Sequence, residues 1–181
     1  MRTVFSRLLI VILAASIAAC ASSRALDKSF TDLSAGADLK GVLFSDRSYD
    51  YGDIDITIYE GRLLLTGAMH SEDGRKKLIE NAWKADGVTQ IIDEIFVGDK
   101  TPFGQGFEDM RIDQTLRAKL IASSGVTSGD YKIAVSGGVV YLLGSAGAQN
   151  ERDKALNLAR AIAGVKKVVS YVTLRSPIAA Q

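Results

Sequence analysis

Two side chains in this sequence could do chemistry beyond charge, and each occurs once: the thiol of Cys20 and the imidazole of His70. A lone thiol forms no disulfide within the chain, and with one imidazole it supplies too few ligands for a zinc site. His70 has no partner for a His/Cys, His/His or Ser-His-Asp arrangement, and it reads as a solvated residue just after a strand pair. Asp50, Asp53, Asp55, Asp93 and Glu94 are paired acids of the kind that do acid–base work, yet none has calcium-loop spacing. They read as acids on a solvated face. Gly104-Gln105-Gly106 has the look of a phosphate-binding turn but no phosphate-loop lysine follows it. The inventory therefore points to a protein that is not an enzyme, with no catalytic residue, no metal and no cofactor.

The use left for Cys20 lies in what precedes it. Arg2 and Arg7 open the chain with no acid before Asp27, an apolar stretch runs from Leu8 to Ala15, and Ile17-Ala18-Ala19 closes with small residues on the cysteine. That order is a secretory signal, and its apolar core is far shorter than the roughly 20 residues a bilayer span needs. It resembles bacterial lipoprotein precursors. The resemblance implies removal of residues 1–19, acylation of Cys20, and, with Ala21 rather than aspartate next, a place in the outer membrane facing the periplasm. Each buried methylene of an acyl chain contributes about 0.8 kcal/mol, so two or more chains anchor durably. Residues 20–31 would be the lipidated tether.

The remaining chain contains a repeat. Shifted by 77 residues, two segments align without a gap: Gly61, Leu65 and Gly67 fall on Gly138, Leu142 and Gly144, and Arg75, Ala82 and Gly87 on Arg152, Ala159 and Gly164. Asp32 and Leu39 fall on Asp109 and Leu116. This gives one domain at 32–97, a linker at 98–108, a second domain at 109–174 and a tail at 175–181.

Each copy has the same local grammar. In the second, Ile112, Leu116 and Leu120 recur every four residues on one helix face, and Ser123-Ser124-Gly125 stops that helix. Ile133 and Val135 alternate as a half-buried strand, and Gly137-Gly138 turns the chain into Val139–Leu143. A helix near 149–163 follows with an apolar stripe at Ala155, Leu156, Ala159 and Ile162, then Gly164 as its C-cap, then a strand from Val165 to Leu174. The first copy repeats this with a weaker opening helix, interrupted by Gly36 and Gly41. The order is αββαβ, two helices on one face of a three-stranded mixed sheet, an α+β fold.

The glycine-bounded hairpins Gly61–Gly67 and Gly138–Gly144, each followed by a helix, a Gly-Val pair and an apolar strand, resemble the BON domain. With the lipid-attachment pattern and two copies, the chain is similar to dual-BON outer-membrane lipoproteins. That resemblance implies a part in outer-membrane integrity and binding of anionic phospholipid, such as phosphatidylglycerol. It also implies contact through the first helix of the second copy, at an exposed aromatic whose position here is Arg111; Phe107 or Met110 would take its place.

Charge separates the two copies. The first holds 7 basic and 13 acidic residues, a balance of −6; the second holds 9 and 5, a balance of +4. A basic residue at an anionic surface is worth about 1 kcal/mol, so the second copy is the one expected to meet lipid. The helix opening near Asp109 buries Ile112, Leu116 and Leu120 and turns Arg111, Gln114, Arg117 and Ala118 outward. Phe103, Phe107 and Met110 lie just before or at its start, apolar bulk beside cations. The expected lipid contact is thus Phe107, Met110, Arg111, Gln114, Arg117 and Ala118. Three other readings stay open: that the oppositely charged domains attract and pack together, that Phe103 and Phe107 pack between the two domains, and that the chain is a tethered adaptor for an envelope protein. Nucleic acid is not an expected partner for an exported chain.

Overall fold

The computed structural model describes residues 39–41, 48–98 and 105–175. The first repeat contributes β1 (Ile54–Tyr59), β2 (Arg62–Met69), α1 (Glu72–Ala82) and β3 (Gln90–Val97). The second contributes α2 (Gln105–Ala122), a 3-10 turn (Ser128–Asp130), β4 (Tyr131–Ser136), β5 (Val139–Ala146), α3 (Gln149–Arg160) and β6 (Lys167–Leu174). Each sheet has its middle strand antiparallel to the strand before it and parallel to the strand after it. The αββαβ order is therefore realised in the second repeat. In the first, residues 39–41 are helical and belong to the opening helix. Leu39 and its repeat counterpart Leu116 are both fully buried, each in its own core.

Local chemistry sets these elements. The two hairpins turn on two residues, both at positive φ: Gly137 and Gly138 in one, Glu60 and Gly61 in the other. That is the turn whose twist matches paired strands. Helix α2 begins at Gln105, four residues inside the stretch expected to be linker. Asp109 does not cap it. Its carboxylate instead accepts the backbone N–H groups of Gly137 and Gly138, both at 2.8 Å, and so ties α2 to the β4–β5 turn. At the other end of the repeat α3 stops at Arg160 with Ala161 as its cap, so Gly164 lies beyond the cap position expected for it, and β6 starts at Lys167.

Glu151 joins two loops. Its carboxylate accepts from the N–H of Thr127 at 2.7 Å and of Gly147 at 2.8 Å, closing the first turn of α3 on the loop before β4. Burial alone would raise the carboxyl pKa, but these backbone N–H groups outweigh it and hold it below the ordinary glutamate value. A carboxylate whose folded pKa is depressed adds stability above its unfolded pKa and loses it as pH falls through the folded one. Melting temperature should therefore fall on acidification from about pH 5 downward, and Glu151→Gln should show a smaller fall over that window. Parallel pH–melting curves of the two proteins check this.

Two cores lie between helices and sheets. One holds Leu63, Leu65, Leu78 and Ile95; the other holds Ile112, Leu116, Val140, Leu142 and Ala159. A third apolar cluster lies between the sheets. Tyr59, Leu64 and Ile92 of the first meet Ala134, Tyr141 and Leu143 of the second. The sheets thus pack face to face, with helices outside, in four layers. Hence β2 and β5 are covered on both faces, and their apolar runs Leu63-Leu64-Leu65 and Val139–Leu143 do not alternate.

Polar groups complete this seam. The Tyr59 hydroxyl lies 2.7 Å from that of Ser145, and Arg175 donates to Tyr59 Oη at 3.2 Å and to Asp130 at 2.8 Å. Arg62 donates to the carbonyl of Tyr171 at 2.8 Å, and the Tyr171 hydroxyl donates to Glu94. Among the described residues no carboxylate–cation pair crosses between the repeats. Apolar burial and hydrogen bonds join the copies.

Candidate functional site

Helix α2 is apolar on two opposite faces. A residue advances about 100° per step, so Ile112, Leu116 and Leu120 share one side and point into the core. Phe107, Met110, Gln114, Ala118 and Ile121 share the other and face solvent. Phe107 is 72% exposed, Met110 54% and Ile121 73%. A soluble helix normally keeps that side polar, and three large apolar side chains in one outward row form a contact surface without a partner among the described residues. Phe107 therefore does not pack between the domains, and Phe103 lies outside the described residues.

The two flanks of this row differ in charge. On the side toward α3, Arg111 ion-pairs with Glu108 at 2.8 Å and donates to the carbonyl of Ala163 at 2.8 Å. Lys119 is exposed on the same flank and has no carboxylate partner among the described residues. Beyond the helix end Lys154 donates to the Ser124 carbonyl at 2.6 Å. On the side toward the first repeat, Arg117 pairs with Asp113 at 2.7 Å and reaches the Ile133 carbonyl at 3.3 Å. Here a cleft of about 430 Å³ is lined by Asp53, Asp55, Asp109, Asp113 and Arg117. One flank is basic and the other acidic.

The structure thus brings Phe107, Met110, Gln114 and Ala118 together on one surface, as the spacing requires. Arg111 and Arg117 are exposed beside them, and neither is without partners. Each is bonded to a carboxylate three or four residues earlier and to a backbone carbonyl, because those positions are neighbours on a helix. Exposed pairs of this kind are worth about 0–1 kcal/mol, so an anionic group can still compete for them. Ile121 and Lys119 were missed. Ile121 lies fourteen residues after Phe107, four turns along the same face, and that spacing was available in the sequence.

Elsewhere the chemistry-bearing residues are dispersed. His70 is exposed between β2 and α1, Asp93 pairs with Arg75 at 2.7 Å, and Asp50 caps the N–H of Gly52 at 2.9 Å. Among the described residues no three of His, Cys, Asp and Glu are grouped to hold a metal ion, and no helix is long and apolar enough to cross a membrane. Cys20 lies outside the described residues.

Two αββαβ units at one repeat distance, mated sheet to sheet and carrying an outward apolar row on one helix, define a tandem-module α+β protein. The chain belongs to the BON-domain family, whose model matches residues 31–99 and 108–176. It is similar to an Anaplasma centrale protein of the gshII 5′ region, 36% identical over 126 residues, covering 69% of this chain and 83% of that one. It is also similar to the outer membrane lipoprotein DolP of Haemophilus influenzae, 30% identical over 118 residues, which are 65% of this chain and 61% of the relative. Osmotically-inducible protein Y of Escherichia coli is 30% identical over 143 residues, 77% of this chain and 71% of that protein.

Proposed function

We propose that this chain is a non-enzymatic envelope lipoprotein, anchored at Cys20 in the outer membrane and facing the periplasm. Its second BON domain binds anionic phospholipid through the outer face of α2 and so supports outer-membrane integrity. The observation that carries the reading is the outward row of Phe107, Met110 and Ile121 with a basic flank beside it. Apolar area and cations side by side are what an interfacial helix uses to enter a charged lipid surface. The lipid-attachment pattern at Cys20 and the likeness to an outer membrane lipoprotein support the location.

The test is co-sedimentation of the unacylated chain with vesicles. Binding should be seen with phosphatidylglycerol, be at least tenfold weaker with phosphatidylcholine alone, and weaken as salt rises from 50 to 500 mM, since screening shortens the reach of surface charge. Equal binding to both lipids, or none to either, overturns the proposal.

A further inference from the structure

Glu94 and Tyr171 occupy the same position in the two repeats, 77 residues apart, and their side chains hydrogen-bond to each other. Residues related by a repeat touch when that repeat's two copies are mated about a two-fold axis passing between them. The strand contacts agree. β1 lies against its own counterpart β4, and the approach of β1 to β5 is matched by that of β4 to β2. The seam is an isologous interface inside one chain.

We infer that Glu94 and Tyr171 decide which sheets can mate: the first repeat's face is built to take the second repeat and to reject a second copy of itself. In the structure the Glu94 carboxylate accepts from the Tyr171 hydroxyl of the other sheet, and burial with that carboxylate nearby raises the pKa of the Tyr141 phenol as well. Burial, with the nearby carboxylate, pushes the Tyr171 hydroxyl up to about 12, so it remains a donor at any physiological pH. The same two-fold operation applied to two first repeats removes this donor. Glu94 then faces Glu94, and Leu64 stands where Tyr141 was, because Leu64 is its repeat counterpart.

Two half-buried carboxylates with no donor between them repel, and like charges set face to face are how interfaces refuse a wrong partner. Tyr59 would also face Ala68 in place of Ser145 and lose its hydroxyl partner. Two second repeats would set Tyr171 opposite Tyr171, a hydroxyl pair with no carboxylate between the sheets. Only the mixed pair sets a carboxylate against a phenol donor. Chains held at high local concentration are thereby kept from joining through this face, and partners are left the helical layers and the outer strand edges.

The test is an exchange across the axis in the full chain. Tyr171→Glu places two carboxylates together. It should lower the melting temperature by about 6 °C and let the domains tumble separately in NMR relaxation. Adding Glu94→Tyr restores one acid and one phenol in reversed order, and should recover more than half of that loss with single-body tumbling. Should Tyr171→Glu fail to fold, Tyr171→Phe keeps the ring and removes the carboxylate's hydroxyl donor. It should cost about 3 °C alone and less than about 1 °C on a Glu94→Leu background, where the carboxylate that the hydroxyl served is gone. Losses that simply add in either cycle overturn the inference.

Discussion

Gly67→Ala and Gly144→Ala should each lower the melting temperature by about 10 °C. A Cβ on Gly67 would lie 2.0 Å from the carbonyl oxygen of Asp53, and one on Gly144 would lie 2.0 Å from that of Asp130. In each sheet the strand entering the hairpin crosses the middle strand where its side chain would stand, with Ile54 opposite Gly67 and Tyr131 opposite Gly144. The intruding atom is backbone and cannot swing away, so the strands themselves must part by more than about 1 Å, and overpacking on that scale costs about 3 kcal/mol. Gly67 also sits at φ +111°, which alanine adopts only with strain.

For a chain of this length each kcal/mol moves the midpoint by about 2–4 °C. Differential scanning calorimetry reads the shift. Gly106→Ala supplies the opposite sign: that glycine is exposed near the start of α2 with nothing within 4 Å of the added carbon, and alanine there gains helix propensity. A midpoint for Gly67→Ala within 2 °C of the parent would show that the close approach is not a constraint.

These glycines are also why so much of the fold could be read in advance. They recur at one offset with the apolar positions around them, and a shared register across strand and helix specifies the same unit twice. What sequence could not give is the mating of the sheets. Leu63-Leu64-Leu65 and Val139–Leu143 announce burial on both faces by failing to alternate, but a local pattern names no partner, and Tyr59 and Ser145 are separated by 86 residues. The start of α2 was misplaced for a related reason. Asp109 has the residue type of an N-cap, and the distant turn at Gly137 and Gly138 takes up its carboxylate instead. At the candidate site the apolar spacing was legible, whereas net charge counted Arg111 and Arg117 as available when Glu108 and Asp113 already hold them.

That pairing decides how the lipid surface should be tested. Reversing Arg111 or Arg117 removes a bond to the Ala163 or Ile133 carbonyl as well as a charge, so loss of binding would be confounded with loss of structure. The apolar row carries no such burden, since its side chains are already in solvent. The triple variant Phe107→Gln, Met110→Gln, Ile121→Gln should keep its melting temperature within about 2 °C and lose about 150-fold in affinity for phosphatidylglycerol vesicles. The estimate takes about 1 kcal/mol from each side chain, below the 1.5–3 kcal/mol of full burial because a helix lying on a bilayer sinks only in part. Lys119→Glu separates the remaining component. It should weaken binding by about thirtyfold at 50 mM salt, two charge steps at about 1 kcal/mol each, and by less than about threefold at 500 mM. Area burial is not screened, so the triple variant should lose its affinity at both salt concentrations. If instead the triple variant binds like the parent while Lys119→Glu does not, the outward row of α2 is not what meets the lipid.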